Sequence, residues 1–177
     1  IKSLEIKKKL ISSKNIPKLQ FDYIIISPGI DINKCKLSKF LKKNIFKIYS
    51  DLDVFYSFNK NDFITITGTN GKSTTCQLMY KVLKDQNFNV ELVGNIGNPV
   101  LSIKNVKKNT IFVIEASSYQ LEYSKIFKSK YAAVLNLSPD HLERHKTFNK
   151  YIKAKFKLLK NQIKGSLAFV KKDDLLI

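Results

Sequence analysis

Short apolar segments of five to eight residues recur along the 177-residue chain, separated by polar stretches. They are rich in β-branched residues, which is typical of buried strands, and they lie at 23–27, 63–67, 89–93, 110–117, 131–138 and 166–170. Helical patterns fall between them, at 73–86, 99–104 and 147–161. This alternation predicts an α/β fold, in which helices cover both faces of a mostly parallel sheet.

Two of the predicted helices have a clear apolar face. In 73–86 it is formed by Cys76, Met79, Tyr80 and Leu83. In 147–161 it is formed by Phe148, Tyr151, Ile152, Phe156, Leu158, Leu159 and Ile163, and solvent positions are predicted for Lys150, Lys153, Lys157 and Lys160. Lys155 differs, because at 100° per residue it lies about 20° from Phe148, inside the apolar stripe. A lysine that faces inward must extend its ammonium group to water, pair it with an opposite charge, or be chemically modified.

The polar stretch at 57–62 predicts a domain boundary. Residues 1–60 then form the end of one α/β domain and a linker, and residues 61–177 form most of a second domain. The chain begins at Ile1 in a lysine-rich run and stops at "DDLLI". We therefore interpret it as a piece of a longer protein.

The formal net charge of +18 is typical of a protein that binds nucleic acid. However, Arg144 is the single arginine among 32 basic residues, and the lysines are scattered along the chain. Proteins that recognise bases and phosphates use the bidentate hydrogen bonds of the arginine guanidinium. The composition therefore argues against nucleic-acid binding. Cys35 and Cys76 have no metal-type spacing, which favours a reducing compartment. No apolar stretch reaches the ~20 residues that a membrane span needs.

The segment after the 63–67 strand, "GTNGKSTT", is similar to a phosphate-binding loop. The common pattern G-x-x-x-x-G-K-[ST] would place its first glycine at position 66, which is Ile66 here. The remaining parts fit a triphosphate: Gly68 and Gly71 allow a tight turn, Lys72 can reach the outer phosphates, and Ser73 can bind Mg²⁺. The alternative is an ordinary glycine turn that leads into a capped helix.

Polar residues also follow other predicted strands, at the edge where ligands bind in α/β sheets. Asn95 lies in "GNIGNP", a segment that by itself fits an ordinary turn. Glu115 ends a very apolar strand, where a carboxylate needs a cation such as Mg²⁺ unless it lies at the sheet edge. Asp140 and His141 follow the 131–138 strand, and His141 fits a functional or a structural role equally well. The next two side chains of interest, Glu143 and His145, are expected at the surface.

Taken in order, "GTNGKSTT", "GNIGNP", "EASSYQLE", "SPDHLERH" and "YIKAKFKL" resemble the motifs of the Mur ligases of peptidoglycan synthesis. Members of that family have an ATP loop without the outer glycine, which would explain Ile66. The resemblance implies that residues 1–60 end a Rossmann-like domain for the UDP substrate, that residues 61–177 are an incomplete ATP-binding central domain, and that the C-terminal domain is absent.

The resemblance also implies roles for individual residues. The ATP cradle would consist of Gly68, Thr69, Asn70, Gly71, Lys72, Ser73 and Thr74. Catalytic roles would belong to Lys72, Glu115, His141 and Lys155. The Mg²⁺ ligands would be Ser73, Glu115, His141 and Lys155, with Lys155 carbamylated by CO₂. The muramoyl substrate would be bordered by Asn95, Ser117, Gln120 and His141.

Within the family, "SSYQLE" indicates the branch that adds D-glutamate to UDP-N-acetylmuramoyl-L-alanine, using ATP and forming an acyl phosphate and ADP. The implied protein is a monomeric cytoplasmic enzyme with small-molecule substrates and with no nucleic-acid or membrane partner. The fragment alone is expected to bind ATP weakly and to be inactive. Two alternatives stay open: another Mur-type or folylpolyglutamate-type ligase, and a basic phosphate-loop NTPase that acts on nucleic acid.

Overall fold

The computed structural model describes residues 10–104 and 106–171. The "DDLLI" ending and the first residues of the chain lie outside this part. A small parallel sheet pairs β1 (Ile24–Ile25) with β2 (Ile48–Tyr49). The main sheet has the order β4-β5-β3-β6-β7, and every pair in it is parallel. Its strands are β3 (Asp62–Thr67), β4 (Val90–Gly94), β5 (Ile111–Glu115), β6 (Tyr131–Val134) and β7 (Leu167–Val170). The predicted α/β class with a mostly parallel sheet is confirmed.

In the described part of the chain, these strands are accompanied by six α-helices and three short 3₁₀ turns. The helices are α1 (Ser38–Lys43), α2 (Asp51–Phe58), α3 (Lys72–Asp85), α4 (Ser118–Tyr123), α5 (Leu142–His145) and α6 (Phe148–Lys160). The 3₁₀ turns are Ile16–Lys18, Ile45–Lys47 and Val100–Ser102. Within the described residues, no helix is long and apolar enough to cross a bilayer.

Both faces of the central strands of the main sheet are packed, because side chains alternate along these strands. On one face, Ile66 and Val113 pack against Cys76 of α3, with Met79, Tyr80 and Leu83 at the margin as the sequence predicts. On the other face, aromatic and aliphatic side chains of the strands pack against α2, α4 and α6, through a core that includes Leu52, Phe55, Phe63, Phe112, Ile114, Leu121 and Leu158. The central strand β3 is therefore held from both sides.

Helix α2 is fixed to the main sheet as well as to the segment before it. Ser50 and Asp53 form a capping box at its start. The buried carboxylate of Asp53 also accepts hydrogen bonds from the backbone N–H groups of Ile126 and Phe127, both at 2.9 Å. The predicted boundary at 57–62 thus begins at the end of α2, and apolar side chains of α2 belong to the core of the main sheet.

Several predicted elements differ in extent. The predicted helix at 99–104 is only a 3₁₀ turn, since Pro99 precedes it and Ile103 is already extended. The predicted strand at 131–138 ends at Val134, because its neighbour β3 ends at Thr67. The α2 and α4 helices, which the apolar pattern did not predict, are too short for a strong helical period.

The side chains of α6 also depart from the prediction at two positions. Lys157 is half-buried, and its Nζ donates a hydrogen bond to the carbonyl oxygen of Glu122 instead of pointing into solvent. Ile163 lies beyond the end of the helix and is exposed. The remainder of the predicted apolar face is buried or half-buried.

Candidate functional site

The loop between β3 and α3 turns sharply at two glycines. Gly68 has φ of 150° and Gly71, the N-cap of α3, has φ of 81°. A side chain at Gly68 would come within 3.2 Å of Leu135 Cβ and 3.3 Å of the Asn136 backbone. Glycine is therefore required at Gly68 both for its backbone conformation and for the close approach of the neighbouring loop.

The amide groups of this loop point in two directions. Those of Thr69 and Asn70 donate to Asn136, to its carbonyl oxygen at 2.9 Å and to its Oδ1 at 2.8 Å. In contrast, the first intrahelical bond of α3 runs from Thr75 to Gly71. The amides of the first turn, those of Lys72, Ser73 and Thr74, consequently have no acceptor within the helix and can bind an anion.

Lys72 stands at the start of α3 and is half-buried. Its Nζ donates to the carbonyl oxygen of Thr69 at 2.7 Å, so the side chain folds back over the loop. Ser73, next to it, is exposed. An ammonium group, amides without a helical acceptor and a hydroxyl thus follow one another at the start of α3, and these are the groups that bind the phosphates of a nucleoside triphosphate.

Glu115 ends β5 and is only 1% exposed. Its Oε1 accepts a hydrogen bond of 2.6 Å from Nδ2 of Asn95. Its Oε2 is the one buried side-chain oxygen or nitrogen without a hydrogen-bond partner in the described part of the chain. A carboxylate oxygen that is buried and unpaired is costly, so this atom fits a cation ligand. The alternative of a simple charge at the edge of the sheet does not fit, because such a charge would be solvated and the Glu115 side chain is buried.

The GNIGNP segment brings Asn95 to Glu115 by a close backbone approach. A Cβ on Gly94 would lie 2.4 Å from the carbonyl oxygen of Glu115, and one on Gly97 would lie 2.3 Å from that of Leu92. The same Glu115 carbonyl accepts the N–H of Asn95 at 2.9 Å. The two glycines thus fix the Asn95 side chain beside the Glu115 carboxylate.

Lys155 is 2% exposed and does face the sheet, as its place in the apolar stripe predicts. Its Nζ donates to the carbonyl oxygen of Gly68 at 2.8 Å and to Oγ1 of Thr67 at 3.3 Å, and it lies 4.8 Å from the ring centre of Tyr151. Burial, together with the nearby charge of Lys72, lowers the pKa of Lys155 to about 7. A large fraction of this amine is therefore neutral near pH 7.

A pocket of about 260 Å³ opens at the carboxyl ends of the strands. It brings together five of the predicted site residues, namely Lys72, Asn95, Ser117, His141 and Lys155. Four further side chains line it: Ser118, Tyr119, Asp140 and Tyr151. The hydroxyl of Tyr151 lies 3.0 Å from Oγ1 of Thr69, so it also joins α6 to the glycine loop.

Gln120, a predicted substrate contact, lies elsewhere. It is buried, and its Oε1 accepts a hydrogen bond from the N–H of Ser117 in the capping box of α4. Its Nε2 donates to Oδ2 of Asp51 at 2.8 Å. Both ends of the amide are thus used within the fold, and Gln120 does not line the pocket, whereas Ser117 does.

His141 is at the open side of the pocket, in a left-handed conformation with φ of 52°. Its ring centre lies 4.9 Å from that of Tyr119. Its Nε2 is 3.4 Å from Oδ2 of Asp140, and its Nδ1 is 3.7 Å from Oε1 of Glu143. Glu143 is exposed, as predicted.

The prediction that His145 lies at the surface is wrong. It is 4% exposed, and its Nε2 is 3.0 Å from Oγ of Ser118. Its ring contacts those of Tyr119 and Tyr151. Burial, and then the charge of Arg144, lower the pKa of His145 to about 4, so it is neutral at pH 7. The packing of α5 against α4 and Tyr151 buries the ring, which the charged neighbours of His145 in the sequence do not reveal.

The donor set suits a hard cation such as Mg²⁺, because it consists of a carboxylate oxygen and a hydroxyl near a phosphate loop. Glu115 Oε2 and the Ser73 hydroxyl would be the oxygen donors of such an ion. Over residues 10–104 and 106–171, no three His, Cys, Asp or Glu side chains are grouped as a metal site. The residues therefore fit a Mg²⁺ ion for which Glu115 and Ser73 would supply part of the ligands.

Comparison with known proteins gives the same picture. Residues 66–177 match the model of the Mur ligase middle domain. A UDP-N-acetylmuramoylalanine–D-glutamate ligase of Caldicellulosiruptor bescii is 43% identical over 78% of this chain and 30% of its own length. The enzyme of the same name from Rickettsia bellii is 38% identical over 95% of this chain and 37% of its own length. The chain thus spans about a third of the length of these curated relatives.

Solved structures show the same fold at low identity. A UDP-N-acetylmuramate:L-alanyl-γ-D-glutamyl-meso-diaminopimelate ligase from Neisseria meningitides superposes with a TM-score of 0.61 at 14% identity, over 92% of this chain and 56% of that one. A MurF ligase from Thermotoga maritima in complex with ADP superposes with a TM-score of 0.56 at 18% identity, over 89% of this chain and 45% of that one. With the middle-domain match over most of its length, the chain belongs to the Mur ligase family.

Proposed function

We propose that the protein containing this chain is an ATP-dependent ligase that joins D-glutamate to UDP-N-acetylmuramoyl-L-alanine. The observation that carries the proposal is the pocket where Lys72, Lys155 and His141 meet, at the carboxyl ends of the strands and beside the glycine loop. The names of the relatives from C. bescii and R. bellii support the choice of substrates.

The first step is the attack of a substrate carboxylate oxygen on the γ-phosphorus of ATP, which breaks the bond to the β-phosphate oxygen and releases ADP. Lys72 would hold the outer phosphates by charge, while the amides of Ser73 and Thr74 would bind them from the helix end. When bound, Mg²⁺ would neutralise the charge on these phosphates, with Ser73, Glu115 and His141 around it.

In the second step, the amine of D-glutamate attacks the carbonyl carbon of the acyl phosphate. The amide bond forms, phosphate leaves with the bonding pair, and the amine loses a proton. Asn95, Ser117 and His141 would orient the muramoyl substrate, since they line the pocket. Gln120 would act on that substrate only through the capping box that fixes Ser117. The contribution of these side chains is positioning and charge stabilisation.

Lys155 would carry a carbamate in the working enzyme. Its neutral amine nitrogen adds to the carbon of CO₂ and loses a proton, so the neutral amine becomes a carbamate anion. The lowered pKa of Lys155, about 7 through burial, favours the neutral amine that this addition needs. The product would face the same phosphate region as Glu115 and could serve as a Mg²⁺ ligand.

Small-molecule substrates, and not nucleic acid, are part of the proposal. Arg144, the one arginine, is buried and bound to Glu122, so it is not free to contact bases or phosphates of a nucleic acid. We further propose a monomer that works in the cytoplasm, as the resemblance implies. The 177-residue chain by itself, which spans about a third of the length of its relatives, would not complete the reaction.

The test is phosphate release by the protein expressed from the complete reading frame, with ATP, Mg²⁺ and UDP-N-acetylmuramoyl-L-alanine. D-glutamate is compared with L-glutamate, L-lysine and diaminopimelate. Release only with D-glutamate is expected, with a loss of at least ~10³-fold in Lys72→Ala and no loss in the exposed control Lys81→Ala. Release with a different amine would assign the protein to a sister ligase, and no release with any amine would overturn the proposal.

A further inference from the structure

Arg144 is unusual in both composition and position. It is the single arginine among 32 basic residues, in a chain where lysine is otherwise used at every basic position. It is also 7% exposed, whereas most of the lysines are on the surface. A guanidinium is thus kept at one buried position in a chain whose composition otherwise favours lysine.

The guanidinium of Arg144 is held on three sides. Its Nε and Nη2 both donate to Oε2 of Glu122, at 3.2 and 3.1 Å. Its Cζ lies 5.1 Å from the ring centre of Tyr119 and 5.8 Å from that of Tyr123. All three partners are on α4, so Arg144 connects α5 to α4. Tyr119 among them lines the candidate active-site pocket.

The segment that carries Arg144 is short and strained. Helix α5 has four residues, and the residues at its two ends, His141 and Lys146, have positive φ values of 52° and 69°. Left-handed conformations of non-glycine residues persist when the surrounding structure enforces them. Arg144 and His145 are the two buried residues of α5, so their side chains connect this segment to the rest of the fold.

We propose that Arg144 is a positioning residue: by clamping α5 to α4 it fixes His141 and Tyr119 against each other at the mouth of the pocket. The backbone geometry transmits the effect, since the N–H of Arg144 donates to the carbonyl oxygen of His141 at 3.0 Å. The inference rests on the proposed ligase function, because it assigns the fixed arrangement of His141 to that reaction.

A lysine could not perform this role. The guanidinium is planar and can donate two N–H groups to one carboxylate while its faces contact aromatic rings, whereas an ammonium is a compact and strongly hydrated charge. Arginine is also less costly to bury for the same reason. The proposal therefore predicts that the shape of the cation matters at this position, and not only its charge.

The test compares Arg144→Lys with Lys153→Arg, an exposed position on α6 that serves as the control, in the protein from the complete reading frame. In Arg144→Lys we expect kcat to fall at least ~10-fold while KM for ATP changes less than ~3-fold, measured well below the unfolding temperature. Amide hydrogen exchange in 139–147 should become faster in the same variant. Unchanged kcat in Arg144→Lys, or unchanged exchange in that segment, would overturn the proposal.

Chemical rescue separates positioning from folding. In Arg144→Ala, ethylguanidinium is expected to restore part of the lost kcat and the slow exchange of 139–147, and ethylammonium at the same concentration is not. Equal rescue by both cations would show that charge alone suffices and would contradict the proposal. If the wild-type protein lacked D-glutamate-dependent phosphate release, the proposed function would fail separately, and the exchange comparison would still decide whether Arg144 clamps α5.

Discussion

The Nζ of Lys155, on α6, lies 2.8 Å from the carbonyl oxygen of Gly68, in the glycine loop that follows β3. A helix late in the chain thus contributes an amine to the nucleotide loop, and the fold covers that amine from water. The contact explains why Lys155 belongs to the apolar stripe of α6. It also makes the protonation state of Lys155 depend on the loop that surrounds it.

Carbamylation of Lys155 should depend on pH through this burial. Because the pKa of Lys155 is lowered to about 7, the neutral amine that adds CO₂ should increase as the pH rises from 6 to 8. With ¹³C-labelled bicarbonate, we expect one carbamate carbon signal that grows over this range. Lys155→Arg should abolish the signal, and Lys153→Arg should retain it. A signal that persists in Lys155→Arg would contradict the assignment.

The stability of the fold should be sensitive to the addition of a single methyl group at Gly94. In Gly94→Ala, the new Cβ would lie 2.4 Å from the carbonyl oxygen of Glu115, at a backbone φ of 110°. We expect a loss of more than ~2 kcal/mol in the free energy of unfolding, since backbone on both sides must shift. Gly29→Ala is the matched control, because nothing lies within 4 Å of its added Cβ. Equal melting temperatures for Gly94→Ala and the control would contradict this account of the turn.

His145 should make the protein sensitive to acid. Its folded-state pKa is lowered to about 4 from the ordinary 6.5, mainly by burial, so the unfolded chain binds a proton more readily between these values. The stability that neutral His145 provides is fully present above pH 6.5 and is lost as the pH falls towards 4. Its slope is at most about 1.4 kcal/mol per pH unit.

The measurement for His145 is the difference in melting temperature between the wild type and His145→Gln, taken at intervals from pH 7 to pH 4. We expect the advantage of the wild type to shrink towards pH 4, because glutamine at this position does not titrate. A difference that stays constant over the range would show that His145 does not gain a proton on unfolding.

Asn136 should contribute to ATP binding without touching ATP. Its Oδ1 accepts a hydrogen bond from the N–H of Asn70 at 2.8 Å, and its Nδ2 donates one to the carbonyl oxygen of Asn70 at 3.0 Å. Asn136→Ala removes both side-chain bonds and leaves the backbone bond from Thr69 as the remaining hydrogen bond between this position and the loop. We therefore expect Kd for ATP to rise about tenfold, equivalent to ~1.4 kcal/mol. The exposed control Asn149→Ala should bind ATP as the wild type does, as measured by calorimetry. An unchanged Kd in Asn136→Ala would show that the loop is held by other contacts.

The sequence was most informative where a residue departed from its local pattern. The apolar strands predicted the parallel sheet, and the rule that ligands bind at strand ends placed Lys72, Asn95 and His141 at one edge. Lys155 was found because a lysine interrupts an apolar face. A polar residue inside an apolar segment is the same signal, and it would also have identified Asn136, which interrupts the apolar segment at 131–138.

Other features could not be predicted because they depend on contacts between distant segments. His145 looks like a surface residue in "HLERH", and only the fold of α5 against α4 buries it. Gln120 looks like a pocket residue, but its amide is used by Ser117 and Asp51, and Asp51 is 69 positions away in sequence. Tyr119 of α4 and Tyr151 of α6 line the pocket because these two helices pack beside it. Such pairings are set by tertiary structure, which periodicity does not encode.

The transfer of oxygen from substrate to phosphate tests the central claim most directly. UDP-N-acetylmuramoyl-L-alanine with ¹⁸O in its free carboxylate would be incubated with ATP, Mg²⁺, D-glutamate and the protein from the complete reading frame. If the carboxylate attacks the γ-phosphorus and D-glutamate displaces the phosphate, each phosphate released should carry one ¹⁸O. Released phosphate without ¹⁸O, or release that does not require D-glutamate, would contradict the account.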